Sequence, residues 1–111
     1  MFGFGKSKEH NEVDAPALAA MLADGAAVLV DVREPDEFAA GHIAGAINLP
    51  LSRFSPDQLP HAPGKTLVLQ CAGGKRSGMA LDRCAEAGSA VNSHLAGGIG
   101  AWKAAGLPVA S

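Results

Sequence analysis

Cysteine is scarce in this chain: there are two, Cys71 and Cys84. Two thiols make no disulfide framework for a domain with a plausible core, and their separation has no metal-ligand spacing. Free thiols point to a reducing compartment, which we take to be the cytoplasm. Positive charge is scarce as well. Nine Lys and Arg stand against eleven Asp and Glu, for a formal net charge of -2. That balance leaves no broad basic surface, so nucleic acid and anionic membranes are not expected as partners. No apolar run approaches the length of a membrane span, and residues 1–11 lack the continuous apolar region of a signal peptide. The four histidines, His10, His42, His61 and His94, are scattered, and none pairs with a Cys or a carboxylate at metal-ligand spacing. No metal site and no cofactor are expected.

What remains is enough for one globular domain. The chain has 111 residues, 48% hydrophobic and 18% charged, which suits a single buried core and is too short for two. Residues 1–11 (MFGFGKSKEHN) are glycine-rich and polar with isolated Phe2 and Phe4, and read as a flexible tail ahead of a domain over residues 12–111. Gly5-Lys6-Ser7 has the ending of a phosphate-binding P-loop but fails as one, lacking the earlier glycine and a preceding strand.

Along the domain the pattern alternates helix and strand. Asp14-Ala15-Pro16 followed by Leu18, Met21 and Leu22 predicts a short capped helix that Asp24-Gly25 ends. Ala26 to Val32 is a continuous β-prone run without alternation, the mark of a strand buried on both faces of a parallel sheet. Glu34-Pro35-Asp36-Glu37-Phe38 predicts a helix start, with Pro in the first turn and carboxylates at the positive end of the dipole. We assign that acidic cluster to helix capping. Gly41 to Pro50 predicts a turn and a short strand around residues 46–48, with His42 hydrogen-bonding the turn. Residues 52–64 carry three prolines and predict a surface connection with at most one helical turn near residues 55–59. Residues 65–70 restart the sheet, residues 77–87 form a helix, residues 89–95 form a weaker strand at an edge, and residues 101–105 form a short helix after the turn Gly97-Gly98-Ile99-Gly100. Cys84 and Trp102 are expected in the core.

The chemistry concentrates in Cys71-Ala72-Gly73-Gly74-Lys75-Arg76-Ser77. A thiol reacts as thiolate, and a strand-to-helix junction supplies backbone N–H groups and a helix N-terminus that stabilise that charge. Gly73 and Gly74 let several N–H groups converge on one point. Lys75 and Arg76 add positive charge, and Ser77 is a candidate for a cap or loop hydrogen bond. In open α/β sheets ligands sit at the carboxyl ends of the strands, where this loop belongs. Asp31 and Arg33 leave an earlier strand by the same edge and are candidates for support behind the loop.

Three segments resemble a single-domain rhodanese, and the resemblance covers nearly everything from Val13 to Pro108. They are Asp31-Val32-Arg33-Glu34-Pro35-Asp36-Glu37-Phe38 with Gly41-His42-Ile43-Ala44-Gly45-Ala46, the Cys71 to Ser77 loop, and Leu95-Ala96-Gly97-Gly98-Ile99-Gly100-Ala101-Trp102. The resemblance implies an α/β fold with a central five-stranded parallel sheet flanked by helices on both faces. It also implies that Cys71 accepts sulfane sulfur from a small anionic donor such as thiosulfate and passes it to cyanide or another thiophilic acceptor, a protein thiol included. The loop backbone from Ala72 to Arg76 would then cradle the thiolate and the persulfide. Phosphatases that share the fold have five residues between Cys and Arg; four lie between Cys71 and Arg76, so phosphate-ester hydrolysis is the second reading. A non-catalytic binding module, reached by members that have lost the Cys, is the third.

Overall fold

Five short parallel strands form one sheet in the order β1-β5-β4-β2-β3. In chain order they are β1 (Asn11–Val13), β2 (Ala27–Asp31), β3 (Ile47–Asn48), β4 (Thr66–Gln70) and β5 (Ser93–Leu95). Helices α1 (Ala15–Ala23), α2 (Pro35–Ala40), α3 (Lys75–Glu86) and α4 (Gly98–Ala104) connect and cover them. The computed structural model describes residues 10–111. The expected flexible tail, with Phe2, Phe4 and Gly5-Lys6-Ser7, lies outside the described residues up to residue 9.

Side chains alternate across a strand, so an apolar run without alternation feeds two cores. Ala27 and Leu29 of β2, Val68 of β4 and Leu95 of β5 join Ala15 and Leu18 of α1 and Ile99 and Trp102 of α4 on one face. On the other face Val30, Val32, Leu69 and Cys71 meet Ala80, Leu81 and Cys84 of α3, with Phe54. A fully buried Leu contributes about 1.5–3 kcal/mol. These two layers therefore hold the sheet more than the few ladder bonds of two- and three-residue edge strands. Cys84 and Trp102 are core residues, as expected, and Trp102 Nε1 donates to Pro108 O at 2.8 Å.

Local chemistry starts the helices where the sequence predicts. Asp14 Oδ1 accepts from Ala17 N at 2.8 Å at the head of α1. Pro35 opens α2, whose Glu37 Oε1 accepts from Glu34 N at 3.0 Å. His42 takes the structural part: Nδ1 lies 2.8 Å from Phe38 O, and its ring stacks on Phe38 at 3.9 Å.

Several expectations change, the start of α4 among them, which takes in Gly98-Ile99-Gly100, expected as a turn before the helix. Strand β5 is confined to Ser93–Leu95 and lies between β1 and β4, not at an edge. The edge place is taken by β1, whose three residues are too few to carry a sequence pattern. Helix α3 begins at Lys75, two residues before Ser77, because Gly74 caps it at φ +111. Two 3-10 turns, Leu51–Arg53 and Pro56–Gln58, occupy the proline-rich connection instead of one.

Candidate active site

The Cys71 loop leaves the carboxyl end of β4, at the middle of the sheet. Its two sides are tied to neighbouring elements. Val32 N donates to Gln70 O at 2.8 Å just before the loop, and the first turn of α4 grips it from the far side. Ile99 N donates to Cys71 O at 2.9 Å, and Gly100 N to Ala72 O at 3.1 Å. Gly98 makes this grip possible. It sits at φ +60, and a Cβ there would fall 2.4 Å from Cys71 O and 2.6 Å from Ala72 O. The segment expected as a simple glycine turn thus clamps the Cys71 backbone.

Within the loop the sulfur is enclosed. Cys71 is 1% exposed, while Ala72, Gly73 and Lys75 are exposed above it. Gly74 N donates to Sγ at 3.0 Å, and Ser77 Oγ lies 3.5 Å from Sγ. Burial pushes the thiol pKa up; the Ser77 hydroxyl and the N–H groups of Ser77, Gly74 and Gly73 pull it down, and the net direction is downward. The donors that stabilise the thiolate are therefore dipoles of the loop and first helical turn, as the strand-to-helix junction predicts. Cys84 contrasts with it: burial holds its thiol above the ordinary value, against a lesser pull from Ser89.

The full charges are disposed differently from the simplest reading of the loop. Arg76 forms a two-pronged ion pair with Glu37, Nη1 to Oε1 at 2.7 Å and Nη2 to Oε2 at 3.0 Å. The Arg76 guanidinium holds the Glu37 carboxyl at about 2 against an ordinary 4.5; partial burial opposes this, and the Glu34 N–H and the charge of Arg33 assist. Glu37 thus caps α2 and also anchors the loop's arginine. Asp31 and Arg33 pair with each other, Nη2 to Oδ2 at 2.7 Å. Arg33 Nη2 also donates to Gly41 O at 2.7 Å. Of the two, Arg33 also acts through its charge on Glu37, the partner of Arg76.

Cys71, Gly73, Gly74 and Ser77 therefore converge on the sulfur, and Arg76 stands at the rim tied to α2. Two participants escape the sequence reading. From sequence Glu37 reads as a helix cap alone, because its arginine partner is 39 residues distant. In sequence His94 is one of four scattered histidines, yet its Nδ1 lies 2.7 Å from Ser77 Oγ. The usable signal for His94 is a polar residue beside Leu95 in a strand, which becomes conspicuous only when that strand is central.

A family model described as a rhodanese-like domain matches residues 14–105. An uncharacterized protein of Synechocystis is 50% identical over 103 residues, 92% of this chain and 58% of its own length, so the chain spans little more than half of that relative. A sulfurtransferase of Allochromatium vinosum is 38% identical over 101 residues, 89% of this chain and 94% of that protein. Among solved structures, a rhodanese-related protein from Thermoplasma volcanium superposes with a TM-score of 0.76 at 33% identity, covering 91% of this chain and 98% of the other.

Proposed function

The chain belongs to the rhodanese-like family, and from that premise we propose that it is a sulfurtransferase carrying sulfane sulfur on Cys71. The Cys71 thiolate attacks the outer sulfur of a donor such as thiosulfate. A new S–S bond forms, the bond between the donor's two sulfurs breaks, and its electron pair leaves with sulfite. Cyanide or a thiolate, on a small molecule or a protein, then attacks the outer sulfur of the persulfide, and the electron pair of the broken bond returns to Cys71. Both the resting thiolate and the persulfide carry negative charge on sulfur. The loop from Ala72 to Ser77 stabilises that charge in each state with preorganised N–H groups.

The observation that carries this reading is the enclosed Cys71 sulfur with Gly74 N–H on it at 3.0 Å and a thiol pKa drawn down by the loop. A persulfide intermediate also requires a free thiol, and both cysteines are unpaired and buried, in keeping with a reducing, cytoplasmic setting. Among the described residues no helix is long and apolar enough to cross a membrane.

The test is mass spectrometry of the reduced protein after thiosulfate treatment. One sulfur atom is expected on the Cys71 peptide, removed by cyanide and missing in Cys71→Ser. Unmodified Cys71 across several sulfur donors would sink the proposal. Hydrolysis of a small aryl phosphate that depends on Cys71 would put the phosphatase reading in its place.

A further inference from the structure

His94 is 4% exposed and has no part in the reaction as written above. Parallel registry explains where it lies. His94 of β5 is the partner of Leu69 of β4 and of Glu12 of β1. Leu69 faces α3, and Cys71, two residues further on, faces the same way. The imidazole thus sits one strand over from the nucleophile, on the same face and under the first turn of α3.

Four groups then form a line. Cys71 Sγ is 3.5 Å from Ser77 Oγ, Ser77 Oγ is 2.7 Å from His94 Nδ1, and His94 Nε2 is 3.6 Å from Glu12 Oε2. Nε2 is buried without a hydrogen-bond partner, an expensive arrangement unless the group is used. The other titratable neighbours are His10, whose ring meets His94 edge-on at 5.3 Å, and Asp82 of α3, whose Oδ1 is 2.8 Å from His10 Nε2.

We propose that His94 is a positioning residue for Cys71, drawing the thiol proton through the Ser77 hydroxyl so that thiolate and imidazolium form as a pair backed by the Glu12 carboxylate. The S–H bond breaks with its electrons left on sulfur. Its proton passes to Ser77 Oγ as the serine's own proton passes to Nδ1, and the Nε2–H faces Glu12. No electron is transferred and no further reactant is needed. Ser77, relieved of donating to His94, then turns its hydroxyl proton to the sulfur in preference to Gly74 O, its alternative acceptor at 3.2 Å. Burial first, and the neighbouring His10 second, hold the His94 pKa below its ordinary value against an opposing pull from Glu12, so the resting imidazole is neutral and takes up the proton only as the thiolate forms to face it. The two groups titrate as a coupled pair.

The use of this relay in sulfur transfer rests on the sulfurtransferase reading; the relay itself does not, and its test moves no sulfur. Alkylation of Cys71 by iodoacetamide is followed against pH on the reduced full chain, by peptide mass spectrometry. His94→Asn keeps an amide near the Nδ1 position but cannot take up a proton. It is expected to slow alkylation at neutral pH about tenfold, one pKa unit upward for the thiol. In a Ser77→Ala background the same change is expected to add nothing, because the link is already cut. Glu12→Gln, at a side chain 66% exposed, is expected to shift the profile the same way by less. Superimposable profiles for His94→Asn and the unaltered chain, or losses that add in the double variant, would overturn the relay. Should His94→Asn fail to fold, nitrogen NMR of the unaltered protein decides: the His94 pKa is expected to fall once Cys71 is alkylated, and an unchanged value would overturn the proposal. A shifted profile with no sulfur taken up from donors would leave the relay standing and remove the sulfurtransferase reading. Sulfur uptake with an unshifted profile would do the reverse.

Discussion

The ends of β2 and β4 lie side by side at the carboxyl edge of the sheet, and they treat buried polar atoms in opposite ways. At the end of β2, Asp31 and Arg33 saturate each other. Asp31 Oδ1 accepts from Arg33 N and Nε at 2.9 and 3.0 Å, Oδ2 accepts from Nη2 at 2.7 Å, and Nη2 also reaches Gly41 O. Asn48 Nδ2 closes the backbone, donating to Arg33 O at 2.9 Å and Asp31 O at 3.0 Å. At the end of β4, donors instead converge on a single sulfur, and the nearby cation is held by a carboxylate from another element. One strand end uses its polar groups on each other, and the other aims them at the sulfur on which the proposed reaction would turn. The hydrogen bonds of the buried Asp31–Arg33 pair are thus closed among themselves and with Gly41, beside the Cys71 thiol but not on it.

Removing one half of the saturated pair is expected to have the largest effect. Arg33→Ala leaves Asp31, fully buried, without its counter-charge, and is expected to lower unfolding stability by about 3–5 kcal/mol. In molecules that remain folded, the pH profile of Cys71 alkylation should stay where it is. Urea denaturation and alkylation on one sample check both; a profile displaced as much as the stability would erase the distinction between the two strand ends.

The clamp on the reactive side comes next. Gly98→Ala forces a Cβ to within 2.4 Å of Cys71 O at a positive φ. It is expected to cost about 2–4 kcal/mol and to raise the Cys71 thiol pKa as the loop is pushed from α4. Gly73→Ala is the control, since a Cβ there meets nothing within 4 Å, and its stability is expected to change by less than about 0.5 kcal/mol. Equal losses at the two glycines would mean that the α4 grip does not position the loop.

The difference between the two strand ends also marks how far the sequence can be read. Strand β2, the loop and the starts of α1 and α2 are local: an apolar run, two adjacent glycines, an Asp before a helix, a Pro at its first position. Each leaves a signature within a few residues, and each was legible. The saturated pair at Asp31 and Arg33 was legible only as two polar residues at a strand end, because its closing partners, Gly41 and Asn48, come from other elements. His94 and Glu12 were illegible for a further reason. They approach Ser77 only through the registry of β1, β5 and β4, and β1 is too short to announce itself. With β5 taken for an edge, a histidine in it needed no explanation. Once β1 occupies the edge, the same residue is a buried polar group that does.

The smallest expected effect belongs to the bond that joins the reactive side to α2. Glu37 ionises more readily in the folded chain than in the unfolded one, at about 2 against 4.5. Its stabilisation is therefore full above 4.5 and decays as pH falls toward about 2, where the folded carboxyl also takes up its proton. Both partners keep about a third of their side-chain surface in water, 31% for Arg76 and 36% for Glu37, so screening limits the pair to about 1 kcal/mol or less. Glu37→Gln is accordingly expected to lower the urea midpoint slightly at neutral pH, with the gap to the unaltered chain closing as the solution is acidified; a gap constant over that range would mean the pair does not hold the loop. The same variant frees the Arg76 guanidinium. If Arg76 draws anionic donors to the loop, thiosulfate loads Cys71 faster in Glu37→Gln, most clearly at low salt where the charge is least screened. An unchanged loading rate would instead leave the backbone N–H groups as the cradle and confine Arg76 to tying α3 to α2.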